Sequence, residues 1–224
     1  MCLLMAGLAH ADDIERLYTP RELQEDFDQL YRQLRAAHFD LYAYVGQRKL
    51  DAGFKATRAE LTRPMTAEQA RVKFQLFAAQ VHMGHTRAGS AMPRWREYRQ
   101  KGGRGFPLNI RIADGRCYVA ENLSDSAAIS PGDEILTLNG QRIGRWLERA
   151  ERHVSAESAY MAESLLEYDF PIYLWLELGA ADGFDIEIRS AQGKRRPLRL
   201  PARTRDEMEK ASGVNSLHNY NPVA

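Results

Sequence analysis

Cysteine is nearly absent from this 224-residue chain, with only Cys2 and Cys117, too few for a disulfide framework. No apolar run approaches the roughly 18 residues that a membrane-spanning helix needs, and the mean hydropathy is −0.50. Neither sign of charge dominates: 31 basic side chains stand against 30 acidic ones, for a net charge of +1. A nucleic-acid partner calls for a basic face on a basic domain, so this balance argues against one. Lysine is scarce, with 6 lysines among 31 basic residues, which reads as coding bias and not as phosphate recognition. There is no HExxH pattern and no long internal repeat. An apolar fraction of 44% is ordinary and excludes a disordered chain. A compact chain of this size buries roughly 70% of its unfolded surface, enough for a real core.

The two ends differ from the middle. Residues 2–9 form a short apolar stretch, and Ala9-His10-Ala11 fits a signal-peptidase site. With the basic leading segment missing, residues 1–11 read as a truncated signal peptide, which points to a periplasmic or secreted protein. From Ala202 to Ala224 apolar residues thin out and no period is visible, so 202–224 reads as linker or tail.

Between the ends the hydrophobic period changes once. Thr19-Pro20-Arg21-Glu22 is a capping box with proline at the first helical position, followed by Leu23, Phe27, Leu30, Tyr31 and Leu34 at helical spacing. A second helix is expected from about Arg48 to Leu61. A third opens at the capping box Thr66–Gln69 and ends in a left-handed Gly84. Residues 12–90 therefore read as a helical domain. Residues 91–103, rich in arginine, read as a basic loop. Beyond them the period drops to two: Phe106, Leu108, Ile110 and Ile112 alternate with polar residues, as in a half-buried strand. Turns are expected at Asp114-Gly115, Asn139-Gly140, Asp182-Gly183 and Gln192-Gly193. They separate strands at Cys117–Ala120, Glu134–Leu138, Ile172–Leu178, Phe184–Arg189 and Arg195–Leu200. Two helical stretches, Arg145–Arg152 and Ala156–Tyr168, fall among them. The class is α+β, helices first and a strand-rich part after.

The run Ala127 to Gly140 carries the most information. Pro131-Gly132 makes a tight turn, Asp133 is placed to bond nearby backbone N–H groups, and a buried strand ends in the reversal Asn139-Gly140. This run resembles the core of bacterial PDZ domains, and the resemblance gives a PDZ-like domain over 104–201. Such domains bind an extended peptide by strand addition. The carboxylate-binding loop of that family corresponds to Gly105-Phe106-Pro107-Leu108, and the receiving strand runs on through Asn109 and Ile110. Pro107 stands where a second glycine is expected and has no N–H, so one carboxylate donor is missing. An internal segment could dock instead, or the protein itself could fill the groove.

Two further stretches extend the resemblance. The helical part contains His38-Phe39-Asp40-Leu41-Tyr42 and ends in Gly84-His85-Thr86. Together with the PDZ-like run, they look like the front of the C-terminal processing, or tail-specific, serine peptidases, over about Thr19 to Pro201. Phe39 replaces a usual proline, and Met83 stands where an acidic residue or glycine is common. In that family a later part supplies a catalytic serine and lysine, and nothing here matches it. The resemblance therefore implies the peptide-binding and regulatory portion of a peptidase. Its partners would be an extended polypeptide and the catalytic part.

Other candidate chemistry competes with plainer structural roles. Ser190 and Lys194 are four apart but flank a hairpin tip, which shields no nucleophile. His82 and His85 would need a third zinc ligand from His38 or Asp40; His85 is expected instead to bond backbone, with Thr86 capping or bridging. No metal or cofactor is expected. Trp95 and Tyr98 among the arginines could stack bases, cover a peptide groove or simply be solvated. A free-standing PDZ-like adaptor of the cell envelope stays open as the alternative function.

Overall fold

The computed structural model describes residues 16–212; the signal-peptide reading and residues 213–224 of the tail lie outside the described residues. Contacts divide the chain into two units. One takes residues up to Gly89 together with Ser155–Glu157, and the other takes Ser90–Val154 and the chain from Ser158 onward.

The first unit is built on two capped helices. Strands β1 (Leu17–Tyr18) and β2 (Met65–Thr66) pair antiparallel. Helix α1 (Pro20–Ala37) follows β1 and α3 (Ala67–Ala78) follows β2, each through a complete capping box, Thr19–Glu22 and Thr66–Gln69. Helix α2 (Gln47–Ala59) lies between them in sequence. Leu23, Phe27 and Tyr31 repeat at four-residue spacing and are buried. Phe27 meets Phe54, Phe74 and Phe77 with ring centroids 5.0–5.2 Å apart. Such aromatic pairs add about 0.5–1.5 kcal/mol each beyond area burial. The third helix does not run to Gly84. It gives way to a 3₁₀ turn at Ala79–Val81, and His82 takes the left-handed conformation at φ 57°.

The second unit is an antiparallel sheet with helices against it. Its strands are β3 (Leu108–Ala113), β4 (Arg116–Asn122), β5 (Glu134–Leu138), β6 (Gln141–Arg142), β7 (Gly183–Arg189) and β8 (Arg195–Pro201). The order is β3-β4-β5-β7-β8, with β6 paired to β5. Helices α5 (Ile143–Glu151) and α6 (Ala159–Leu178) lie between β6 and β7 in sequence. Asp114 and Gly115 have φ of 51° and 69°, and Asn139 and Gly140 of 48° and 74°. Two successive positive φ values are what a tight type I′ hairpin turn demands. Seven helices and this six-stranded sheet, among the described residues, make the protein α+β.

Three expectations change here. Residues 91–103 are not a loop throughout, because α4 (Met92–Gln100) occupies most of them. Ile172–Leu178 is not a strand but the second half of α6. Pro171 inside that helix removes a backbone donor, at about 3 kcal/mol. Burial of Phe170, Ile172 and Leu174 offsets this, at about 1.5–3 kcal/mol per side chain. Tyr173 and Trp175 consequently diverge: Tyr173 stacks on His153, while Trp175 meets Trp95 and Tyr98 at 5.5 and 5.3 Å. Finally, 202–212 is not plain linker. Helix α7 (Arg205–Ala211) opens at a third capping box, Thr204–Glu207.

Candidate peptide-binding site

The Pro131-Gly132-Asp133 run works as a fastener within the sheet. Gly132 sits at φ 89°, a conformation glycine reaches without a Cβ clash, and its N–H donates to the Val119 carbonyl at 2.8 Å. Asp133 Oδ2 accepts the Ser130 N–H at 3.0 Å, as the sequence led us to expect. The Asp133 carbonyl accepts from Val119 N–H at 2.8 Å. Asn139 exchanges two bonds with Asp185 across the sheet: its N–H donates at 2.6 Å, and its Oδ1 accepts the Asp185 N–H at 3.0 Å. The reversal at Asn139-Gly140 thereby pins β5 to β7.

In the first unit, two motif residues 48 positions apart come together. Thr86 Oγ1 lies 3.2 Å from His38 Nε2, and Thr86 N–H donates to the Met83 carbonyl at 2.8 Å. Two partners were not legible in sequence. Ser155 Oγ accepts the Met83 N–H at 2.9 Å, and Glu157 Oε1 accepts the Gly84 N–H at 2.8 Å. Gly84 and Thr86 are buried, and His85 between them is exposed. Thr86 bridges as expected, and with Ser155 and Glu157 it makes bonds that hold this turn, where His85 was expected to bond backbone. The Gly84 N–H also draws the Glu157 carboxyl below its ordinary pKa.

The loop ahead of β3 differs from a carboxylate cradle. Gly105 N–H donates to the Arg203 carbonyl at 2.8 Å, and Arg203 N–H returns a bond to Gly105 at 3.0 Å. Pro107 has no N–H, and its carbonyl accepts from Leu123 at 3.0 Å. Two of the positions expected to hold a terminal carboxylate are therefore spent or lacking. The side chains of Phe106, Leu108 and Ile110 point into the core, each at most 3% exposed. Asn109 binds Glu121 at 2.7 Å, and a β-bulge falls between Asn109 and Ile110. What these residues offer a partner is the outward main chain of an edge strand.

That edge is closed by a carboxylate. The Ile112 N–H donates to Glu167 Oε1 at 2.6 Å, and Arg111 Nη1 lies 3.1 Å from Glu167 Oε2. Glu167 stands on α6, which therefore packs beside β3. The opposite edge of the sheet is β8, which contains Arg195, Arg196, Pro197, Arg199 and Pro201. Prolines and charged side chains on an edge strand block pairing with another chain.

The aromatic residues of the basic segment pack within the second unit. Trp95 and Tyr98 pack on Trp175. Arg99 donates to the Arg203 carbonyl at 2.6 Å and to the Gly103 carbonyl at 3.2 Å, with its guanidinium 5.3 Å from the Trp95 ring. Arg104 donates to the Ala202 carbonyl at 3.1 Å. These arginines latch the chain between β8 and α7. Ser190 and Lys194 form a hairpin turn, with Ser190 N–H bonded to the Lys194 carbonyl at 3.0 Å. Burial pushes the Cys117 thiol up to about 12. Among the described residues no group of three His, Cys, Asp or Glu side chains could hold a metal ion, and no helix is long and apolar enough to cross a membrane.

These features define an α+β protein whose antiparallel sheet has one blocked edge and one self-capped edge. No protein-family model and no curated protein matches the chain. Solved structures do. Mature CPAF matches 82% of this chain at 18% identity and a TM-score of 0.56, over 34% of its own length. Mature CPAF complexed with lactacystin matches 90% at 17% identity and a TM-score of 0.56, over 40% of its length. At these identities the likeness is one of fold. The chain spans about a third to two fifths of the CPAF chains it matches.

Proposed function

We propose that this chain is the polypeptide-binding and regulatory portion of a tail-specific serine peptidase of the periplasm or exterior. Its PDZ-like unit would take an extended polypeptide along β3. Hydrolysis of the peptide bond would rest with a catalytic part that follows the PDZ-like region in that family. The observation that carries the reading is the contrast between the two sheet edges. β8 is defended by proline and arginine, while β3 ends against α6 with a carboxylate holding the Ile112 N–H. Strand addition places an extended peptide along a sheet edge that can be freed to pair. The Pro131–Asp133 fastener, the paired motifs His38 and Thr86, and the fold shared with CPAF support the same reading.

The test is fluorescence anisotropy of the full chain with an end-blocked, labelled peptide of alternating valine and threonine. Saturable one-to-one binding, competed by unlabelled peptide, is expected. Anisotropy that never saturates, or that excess unlabelled peptide leaves unchanged, would overturn the proposal.

A further inference from the structure

The β3 edge holds its own occupant. A strand adding to this edge would offer a carbonyl oxygen to the Ile112 N–H, and Glu167 Oε1 already stands there at 2.6 Å. Docking therefore requires this carboxylate to leave. It cannot go far, because it is tethered to α6 and its side chain is only 16% exposed. It stays beside the incoming strand, having lost a charge-assisted hydrogen bond. Arg111 does not make up the loss, since its own side chain is 69% exposed and reaches Glu167 from the solvent side.

The helix makes the requirement sharper. Over its 20 residues α6 carries Glu163, Glu167, Asp169 and Glu177 and no lysine or arginine. Glu163 lies four residues before Glu167 and thus on the same helical face. Glu177 is neutralised elsewhere, by Arg149 at 2.9 Å and His153 at 2.8 Å. Glu163 and Glu167 thus set two carboxylates on one face of α6 near Ile112, against the single exposed guanidinium of Arg111.

We infer that Glu167 is the specificity-determining residue of the β3 edge, selecting extended segments that present a lysine or arginine side chain to α6. Such a side chain gives the displaced carboxylate a replacement partner. A neutral side chain leaves it with the exposed guanidinium of Arg111 alone, and an acidic one repels it. This inference rests on the edge-docking reading above.

The test uses the full chain and two end-blocked probes of alternating valine and threonine, about eight residues long, identical but for one central lysine or norleucine. Both are titrated against the native protein, E167Q and E167A, with circular dichroism confirming the fold of each variant. In the native protein the lysine probe should bind about tenfold tighter, as expected when one charge-assisted contact is gained. E167Q keeps the shape but not the charge, so the two probes should come within about twofold of each other. The norleucine probe should itself bind more tightly to E167Q, because a neutral amide holds the Ile112 N–H less firmly. E167A removes the carboxylate and its charge together and serves if E167Q misfolds. Equal binding of the probes to the native protein, or a lysine preference that survives both variants, would refute selection by Glu167 and leave edge docking standing. Failure of both probes to bind any of the three proteins up to about 1 mM would overturn edge docking itself, and the inference with it.

Discussion

Replacing Asp133 tests whether the Pro131–Asp133 run is a fastener of the second unit. The carboxylate is 4% exposed and accepts the Ser130 N–H at 3.0 Å, while the backbone of Gly132 and Asp133 bonds Val119 and Ser130. A hydrogen bond to a charged group contributes about 1.5–3 kcal/mol. Ser130 is exposed, so its freed N–H can regain water and the loss falls toward the lower end. Asp133→Ala should therefore cost about 2 kcal/mol, and Asp133→Asn, which keeps an acceptor of the same size, about 1 kcal/mol or less. All three tryptophans, Trp95, Trp146 and Trp175, lie in the second unit. Their fluorescence during thermal or urea unfolding thus reports that unit by itself, where two-state treatment is best justified. A melting point lowered by about 7 °C is expected for the alanine variant. An alanine variant as stable as the native protein would refute the argument. So would an asparagine variant that loses as much as alanine, since charge and not the hydrogen bond would then decide.

Thr86→Val should destabilise the first unit by about 1–2 kcal/mol, because Thr86 is buried and its hydroxyl meets His38; helical circular dichroism follows this loss, and an unchanged midpoint would contradict it. Cys117 should resist iodoacetamide at pH 8 in the folded protein and react once urea unfolds it, since burial holds the thiol protonated; peptide mass spectrometry reads both states. Burial raises the Glu177 pKa, but bonds from His153 and Arg149 outweigh it and hold the carboxyl below its ordinary 4.5. A depressed folded-state pKa gives stability that is present above that value and fades as pH falls through the folded one. Glu177→Gln should therefore flatten the acid limb of the fluorescence-monitored stability profile, and an unaltered limb would count against the pairing. Peptide affinity should change by less than about threefold when a free C-terminus is amidated, because Pro107 offers no N–H and that of Gly105 is engaged by Arg203; a large loss would show that the loop does hold a carboxylate.

Local chemistry was legible and long-range chemistry was not. The capping boxes at Thr19 and Thr66, strand Glu134–Leu138 and the turns at Asp114 and Asn139 each depend on residues within a few positions of one another. The same signal announced α7, where Thr204 and Glu207 repeat the pattern of Thr19 and Glu22; the polar sequence around them masked it. Pro93 near the start of α4 was another helix signal, hidden by the run of arginines. Helix α6 misled because Pro171 and the β-prone residues Ile172, Tyr173 and Trp175 argue locally for a strand, while packing of Phe170, Ile172 and Leu174 decides for a helix. The site residues Glu167, Ser155 and Glu157 act on partners 55, 72 and 73 positions away. No spacing rule reaches that far, and a glutamate on an amphipathic stretch reads as solvated surface. Pro107 was legible, and the structure adds that the Gly105 N–H is spent on Arg203.

The central claim is that β3 receives an extended polypeptide. Amide chemical-shift mapping of the nitrogen-15-labelled full chain, titrated with the end-blocked lysine probe, tests it most directly. The account predicts that the largest changes fall on Leu108–Ala113, led by the Ile112 amide as it exchanges the Glu167 carboxylate for a peptide carbonyl, with α6 residues around Glu163 and Glu167 following. Changes centred on β8 or α4, or an Ile112 amide that stays fixed while the peptide saturates, would contradict it.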